Sequence, residues 1–391
     1  MPVIAAVIGY LTKRAAIEMM FRPLRFVGLR EPWLGWQGVV PRNSERMIRV
    51  SADLLTERLV DTKEIFQRLD PGRLAKEIEG PLLVVVDEVA REVMREYQPG
   101  LWELLPPLAQ EVLVKQVQAG SPLMVKRIMA EIQENIDDVL DIRQVAVDAL
   151  TRDKALLIRL IRDISKPEMA FIARCGVYFG LVLGLVQTVV WAVTKNPLVL
   201  PLFGAAIGWF TDWLAIKLVF FPRRPKRIGP LRLQGVFQRR RDEVAKQYAE
   251  IVAREVMTVP NILAAVLTGP RADRLLGMIH ETVLRTIDEQ AGAARPVITV
   301  AVGAERYQRM KHAAADRAMR YLPDTIKHAT DYATEALDIR DTIATRMRRL
   351  TRIEYEGLLR PAFRQDEWKL IAVGAVIGAV IGELQVLLLL H

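Results

Sequence analysis

Four charged residues stand at matching positions of two largely apolar stretches. Lys13 and Glu18 fall within residues 2–21, and Asp212 and Lys217 within residues 198–221. A charge inside hydrocarbon is costly unless it is paired or hydrated, so such residues mark either a neutralised seam or a path for protons or ions. The signs reverse between the two stretches: Lys13 corresponds to Asp212 and Glu18 to Lys217, each 199 positions later. If the stretches face each other at equal depth, the expected pairs are Lys13 with Asp212 and Glu18 with Lys217. For Glu18 and Lys217, close to the helix ends, the alternative is snorkelling to the interface.

These positions depend on the helices that carry them. Cys175 to Val193 is a run of 19 residues without a charge, and at about 1.5 Å per residue it crosses a hydrocarbon core of about 30 Å. Thr194, Lys195, Asn196 and Pro197 break the run, and Leu198 to Phe221 follows directly, so residues 170–221 read as a transmembrane hairpin.

The chain repeats itself. Ile8, Gly9, Tyr10, Leu11, Thr12, Ala16, Ile17, Phe21 and Pro23 recur as Ile207, Gly208, Trp209, Phe210, Thr211, Ala215, Ile216, Phe220 and Pro222, at an offset of 199. Gln37, Gly38, Val39 and Arg42 recur as Gln234, Gly235, Val236 and Arg239, and Leu140 to Arg143 as Leu337 to Arg340, at an offset of 197. Gly176, Gly180, Gly184 and Gln187 recur as Gly374, Gly378, Gly382 and Gln385, at 198. The expected architecture is all-α: a membrane helix over 1–21, a helical arm over 22–169, the hairpin over 170–221, a second arm over 222–369 and a last membrane helix over 370–391. Each half crosses an even number of times, so the halves share an orientation and a pseudo-two-fold axis along the membrane normal.

Basic residues near the membrane ends set the side. The second collar holds Arg223, Arg224, Lys226, Arg227, Arg232, Arg239, Arg240, Arg241 and Lys246 against Asp242 and Glu243; the first holds Arg22, Arg25, Arg30, Arg42, Arg46 and Arg49; the hairpin tip has only Lys195. Both arms are therefore expected in the cytoplasm, with Met1, the tip and His391 on the far side. The collars suit anionic phospholipid headgroups. Overall, 55 Lys and Arg against 46 Asp and Glu give +9, and the membrane segments favour lipid over nucleic acid as the anionic partner. The apolar N-terminus lacks the layout of a signal peptide and reads as retained.

Within the arms, Pro71, Pro81, Pro99, Pro106, Pro107 and Pro122 divide short helices, and Ser44 is placed to cap one running to about Asp61. Leu82, Val85, Val86, Val89 and Val93, and later Leu275, Ile279, Val283 and Ile287, form stripes at helical spacing. They are expected to pack helix on helix, with a lipid groove as the alternative. No alternation suggests a sheet. Glycines at 176, 180, 184, 374, 378 and 382 let helix backbones approach closely, and Gln37–Gly38 and Gln234–Gly235 suit tight turns between membrane and arm.

Enzyme signatures are missing: there is no phosphate loop, no Gly-x-Ser-x-Gly elbow and no paired-His zinc spacing. His280, His312, His328 and His391 are scattered, Asp137, Asp138 and Asp141 read as a solvated face, and the single cysteine, Cys175, forms no intrachain disulfide. No catalytic residue, metal or cofactor is expected.

The run from Ile8 to Pro23, the run from Leu34 to Arg42, the block from Asp153 to Gln187 and the pattern Gly180 to Gln187 resemble the bacterial membrane family known as domain of unknown function 445. The resemblance covers both halves and implies an inner-membrane protein with large helical arms and no assigned activity. Where that family has Asn after the Thr of its first motif, this chain has Lys13 after Thr12 and Asp212 after Thr211. The leading expectation is a non-enzymatic scaffold, or a lipid- or partner-handling surface, at the cytoplasmic leaflet, with a homo-oligomer or a protein partner possible. The competing expectation is an oligomeric transporter or channel for ions or small solutes, using Lys13, Asp212 and Glu383.

Overall fold

The computed structural model describes residues 2–30, 34–224, 226–228, 231–292, 295, 300, 302–357, 360 and 367–390. It is essentially all helical. Four helices carry the apolar stretches: α1 (Pro2–Phe21), α2 (Lys154–Thr194), α3 (Val199–Phe220) and α4 (Glu367–Leu390).

Two antiparallel ribbons depart from the expectation of no sheet. In one, β1 (Val27–Arg30) pairs with β2 (Leu34–Trp36), Val27 opposite Trp36; in the other, β3 (Lys226–Ile228) pairs with β4 (Leu231–Leu233), Lys226 opposite Leu233. Strands of three and four residues are too short to display an alternating pattern.

One order of elements occurs twice. After α1 and the first ribbon come the short helix Val39–Arg42, the helix Ser44–Leu54 and a wide π turn, Leu55–Leu59. After α3 and the second ribbon come Val236–Arg239, Arg241–Ile251 and a second π turn, Val252–Val256.

Helix starts follow local chemistry. Asp61, Asp70 and Thr258 each accept a backbone N–H three residues ahead, from Glu64, Arg73 and Asn261. Pro71, Pro99, Pro107 and Pro122 occupy first turns, where their missing N–H leaves no bond unmade. Asp153 opens α2 by accepting from Ala155 and Leu156. α2 thus begins well before the expected start near residue 170, because Leu156, Leu157, Leu160, Ile161 and Ile164 bury one face there. Pro167 withdraws one N–H without ending the helix. Lys195, with φ of 45°, closes α2 in the left-handed conformation.

The chain divides into two compact units, each drawing on both sequence halves. The first, Met1–Leu59 with Val147–Val252 and Ile343–His391, contains α1 to α4. Within it α1 packs on α2, α3 on α4, and α2 runs along α3. Its aqueous-type core includes Phe237 stacked on Tyr355 at 4.3 Å, with the Tyr355 hydroxyl donating to the Phe237 carbonyl at 3.2 Å.

The second unit, Val60–Ala146 with Ala253–Thr342, is a cluster of shorter helices. There the helix Glu79–Tyr97 packs on Ala304–Lys327, and Ala272–Ala291 packs on both Ser121–Glu134 and Ala304–Lys327. Val89 and Val93 of the first stripe and Leu275, Ile279 and Val283 of the second are buried.

Candidate functional site

Glycine brings the long helices into backbone contact. A Cβ on Gly9 would overlap the carbonyl of Gly176 and the reverse, and one on Gly180 would stand 2.7 Å from the carbonyl oxygen of Ala5. Between α3 and α4 the same holds for Gly208 with Gly374, Gly204 with Gly378, and Gly382 with Leu200. Gly184 abuts Ala5. Such close approach is the packing mode of helices in lipid, where small residues substitute for a hydrophobic driving force.

Two of these glycines also make room for charge. Lys13 Nζ donates to Asp212 Oδ1, and the two side chains are 4% and 9% exposed. The Lys13 stem passes Gly176, where a Cβ would lie 2.9 Å from Cγ, and Asp212 Oδ2 occupies the place a Cβ on Gly374 would take. Thr12 and Thr211 turn their hydroxyls to the carbonyls of Gly9 and Gly208, at 3.1 and 3.2 Å. Gln187 Nε2 donates to Gln385 Oε1 at 3.3 Å. Lys13, Thr12, Thr211, Gln187 and Gln385 border a void of about 60 Å³, room for a few water molecules with polar partners to hold them. Asp212 Oδ2 has no hydrogen-bond partner.

Around this polar centre the exterior is apolar. Val7 and Leu11 on α1, Leu185 and Val189 on α2, and Val376 and Val380 on α4 are all exposed. The part of the unit formed by α1 to α4 is inside-out relative to a water-soluble bundle.

The other expected pair is not formed. Glu18 meets Arg22 at 3.2 Å and Arg162 at 2.9 Å, while Lys217 lies 4.6 Å above the Trp213 ring. The early start of α2 supplies Arg162 to Glu18 from the same half, so no cation from the other half is required.

The basic collars divide in two. Arg223 bonds Glu356 at 2.6 Å; Arg240 holds the buried Glu168 at 2.8 and 2.9 Å and also Glu243; Arg241 donates to the Leu350 carbonyl and covers the Tyr355 ring. These three face protein groups rather than headgroups, a correction to the lipid-contact expectation. The hydrogen bond to Glu243, with Glu168 adding to it against the opposing effect of burial, holds the Arg240 guanidinium above its usual range. Arg22 is exposed and paired with Glu18; Arg25, Arg224 and Arg239 are exposed. The side chains of Lys226 and Arg227, like Met1 and His391, lie outside the described residues. Glu383 is exposed on α4.

Gln37 donates to the Leu24 carbonyl at 3.0 Å, and a Cβ on Gly38 would stand 2.9 Å from the Arg22 nitrogen, so the turn there requires glycine. Asp137 meets Lys63, Asp138 meets Arg274 and Asp141 meets Arg271. The histidines are less scattered than their spacing suggests: His280 Nε2 is 3.4 Å from His312 Nδ1, and His280 Nδ1 is 3.5 Å from Asp316. Residue chemistry alone also missed Thr12, Thr211, Gln187, Gln385, Gly9 and Gly208 as parts of one centre; their identity at a constant offset was the available signal.

No family model matches the chain. Over 80 residues, it is 39% identical to proteins named UPF0754 membrane protein from Bacillus thuringiensis (strain Al Hakam), Bacillus cereus (strain AH820) and Bacillus anthracis (strain A0248). The match covers 20% of this chain and 20% of each relative, so the chain spans about a fifth of the length of the curated relatives it matches. This likeness supports an uncharacterised group of bacterial membrane proteins and not the domain of unknown function 445 in particular. Lys154–Thr194 and Val199–Val219 are long and apolar enough to cross a membrane, with a third candidate if Arg241–Val256 and Val259–Thr268 count as one broken span. The chain is similar, over a fifth of its length, to uncharacterised bacterial membrane proteins and has two to three candidate spans among the described residues.

Proposed function

We propose that the chain is a non-enzymatic, multi-pass protein of the bacterial cytoplasmic membrane whose duplicated halves, α1 with α2 and α3 with α4, carry two cytoplasmic helical arms that act as a scaffold engaging anionic lipid at the inner leaflet. The inside-out arrangement supports counting α1, α2, α3 and α4 all as membrane helices. α1 carries Lys13, Arg14 and Glu18, but Lys13 is buried and paired and Glu18 is answered by two arginines. α4 offers the apolar stretch Ile371–Leu387.

The observation that carries the lipid reading is the first ribbon. Leu24, Val27 and Leu29 are 50%, 63% and 94% exposed beside Arg25, also exposed, while Trp36 Nε1 donates to the Met19 carbonyl and ties the ribbon to α1. Apolar side chains edged by a cation, held at the end of a membrane helix, match the boundary between headgroups and acyl chains. An environment-sensitive fluorophore on Leu29→Cys, in a Cys175→Ser background within phosphatidylglycerol-containing nanodiscs, should emit as from an apolar medium and be quenched by lipid-soluble nitroxide. Quenching by aqueous iodide alone would overturn the reading.

A transporter remains the second reading, favoured by the polar-edged void and the unpartnered Asp212 Oδ2. Proton or ion flux through reconstituted vesicles that Asp212→Asn leaves unchanged counts against it.

A further inference from the structure

The second unit contains a void of about 150 Å³. It is bounded by Thr62–Phe66, Pro71–Glu77, Ser121–Glu134 and Ile136–Val139 from the first arm, and by Val259–Thr268, Ala272–Ala291, Ala304–Lys327 and Thr330–Leu337 from the second. All its wall residues are aliphatic, Ala, Met or Phe, and no polar atom contributes to its surface. Protein interiors are close-packed, with few voids larger than a water molecule.

Its chemistry narrows the occupant. Water is disfavoured, because an ordered water needs two to four polar partners and the walls have none. A polar metabolite is disfavoured too, since sites for such molecules place a few convergent polar groups to orient them. A partner helix, about 10–12 Å across with its side chains, is too wide. A hole of this size takes a body like benzene, about six carbons. Ile128, Ile132, Leu263, Leu267, Leu322 and Ile326, all wall residues, are only partly buried, so the void is reachable from outside.

We infer that this void receives an acyl chain of a membrane phospholipid, inserted to a depth of about six carbons. The source of the chain rests on the membrane reading above; the hydrocarbon character of the site rests on its walls alone. Hydrocarbon is what a wholly apolar hole selects, and for a chain anchored in a bilayer the phospholipid tail is the abundant supply.

The full-length protein, reconstituted in vesicles of phosphatidylethanolamine and phosphatidylglycerol, is irradiated with a fraction of phosphatidylglycerol bearing a diazirine near the end of one acyl chain. Peptides are then mapped by mass spectrometry. Adducts are expected on peptides containing Ile128 and Ile132 and on those containing Leu263 and Leu267, together with adducts on α2 and α3. Ile132→Trp, which fills the hole with an indole, should lower the second-unit adducts at least about fivefold relative to α2 adducts in the same sample, and Leu322→Trp, from another helix, should do the same. Adducts confined to α2 and α3, or second-unit adducts unchanged by both substitutions, would overturn the inference. Labelling of the void by a photoreactive free fatty acid but not by the phospholipid would overturn its source. Absence of label from α2 and α3 would overturn the membrane reading, and with it that source.

Discussion

Lys13→Met isolates a buried carboxylate. Asp212 Oδ2 already lacks a hydrogen-bond partner, and Lys13 is the donor to Oδ1, so the substitution leaves a side chain 9% exposed with neither oxygen answered by the cation. Breaking a buried pair from one side costs about 3–5 kcal/mol, and a bare charge at the centre of a membrane helix costs about 2.5–3.5 kcal/mol. At about 1.4 kcal/mol per factor of ten, the folding equilibrium falls by roughly two to three orders of magnitude. The double substitution Lys13→Met with Asp212→Asn removes both charges and should recover most of that loss, because replacing a whole buried pair is often neutral. Inverting the pair, Lys13→Asp with Asp212→Lys, should also recover it. Each position has a glycine opposite, Gly176 for residue 13 and Gly374 for residue 212, so either accepts the longer stem. The assay is unfolding by sodium dodecyl sulfate in mixed lipid micelles, followed by helical circular dichroism. A Lys13→Met midpoint equal to the parent's, or double variants no better than the single one, refutes the reasoning.

Gly180→Leu and Gly378→Leu should each force a helix pair apart, since their Cβ positions meet the carbonyls of Ala5 and Gly204; overpacking of about 1–3 kcal/mol or more should reduce the folded fraction on size exclusion, whereas Val182→Leu, on an exposed face of α2, should not. Arg240→Ala strands Glu168, a residue 2% exposed, and should destabilise by about 3–5 kcal/mol; Glu243→Ala removes only an exposed partner and should cost no more than about 1 kcal/mol, both read by denaturant titration. Burial alone would raise the Asp288 carboxyl, but hydrogen bonds from Lys311 and Tyr307 and the charges of Lys311 and Arg295 hold it below its usual range. Its folded pKa is thus the lower one, so its contribution is present above the unfolded value of about 3.9 and is lost as pH falls through the folded value. Asp288→Asn should therefore lower stability at neutral pH and flatten the acid limb of the unfolding curve; an acid limb identical to the parent's would contradict this.

The proximity of Lys13 to Asp212 was legible because two facts coincide, a constant offset and an inverted sign, and burial in lipid leaves few alternatives to pairing. Glu18 and Lys217 obey the same pattern and do not meet. What decides their case is Arg162, whose reach depends on α2 starting at Lys154, and that start depends on an apolar face, Leu156 to Ile164, whose partners lie elsewhere in the unit. Helix starts at proline and at Asp61, Asp70 and Asp153 are local chemistry and can be read locally. The ribbons are local as well, but they are too short for periodicity to register. The collar arginines show the limit of counting charge: Arg223, Arg240 and Arg241 have the composition of a lipid contact and the partners of a core.

The void beside Lys13 and the void in the second unit differ in lining, and the difference sets what each can hold. The 60 Å³ space beside Lys13 has hydroxyl, amide and carbonyl groups on its walls, so water satisfies it and no solute is needed to account for it. The 150 Å³ space in the second unit has no such groups. Left empty, a void of that size costs about 3.6 kcal/mol at roughly 24 cal/mol per Å³, a large share of the ~5–15 kcal/mol that stabilises an ordinary domain. About six carbons withdrawn from water into it return roughly 5 kcal/mol at ~0.8 kcal/mol each. For a chain drawn from a bilayer, already out of water, that gain shrinks towards the packing contribution alone, so occupancy should follow from closing the cavity rather than from the hydrophobic effect. Shortening the tails of the surrounding lipid should then leave second-unit labelling unchanged until the chain no longer spans the hole, and a steady decline with each carbon removed would contradict that account.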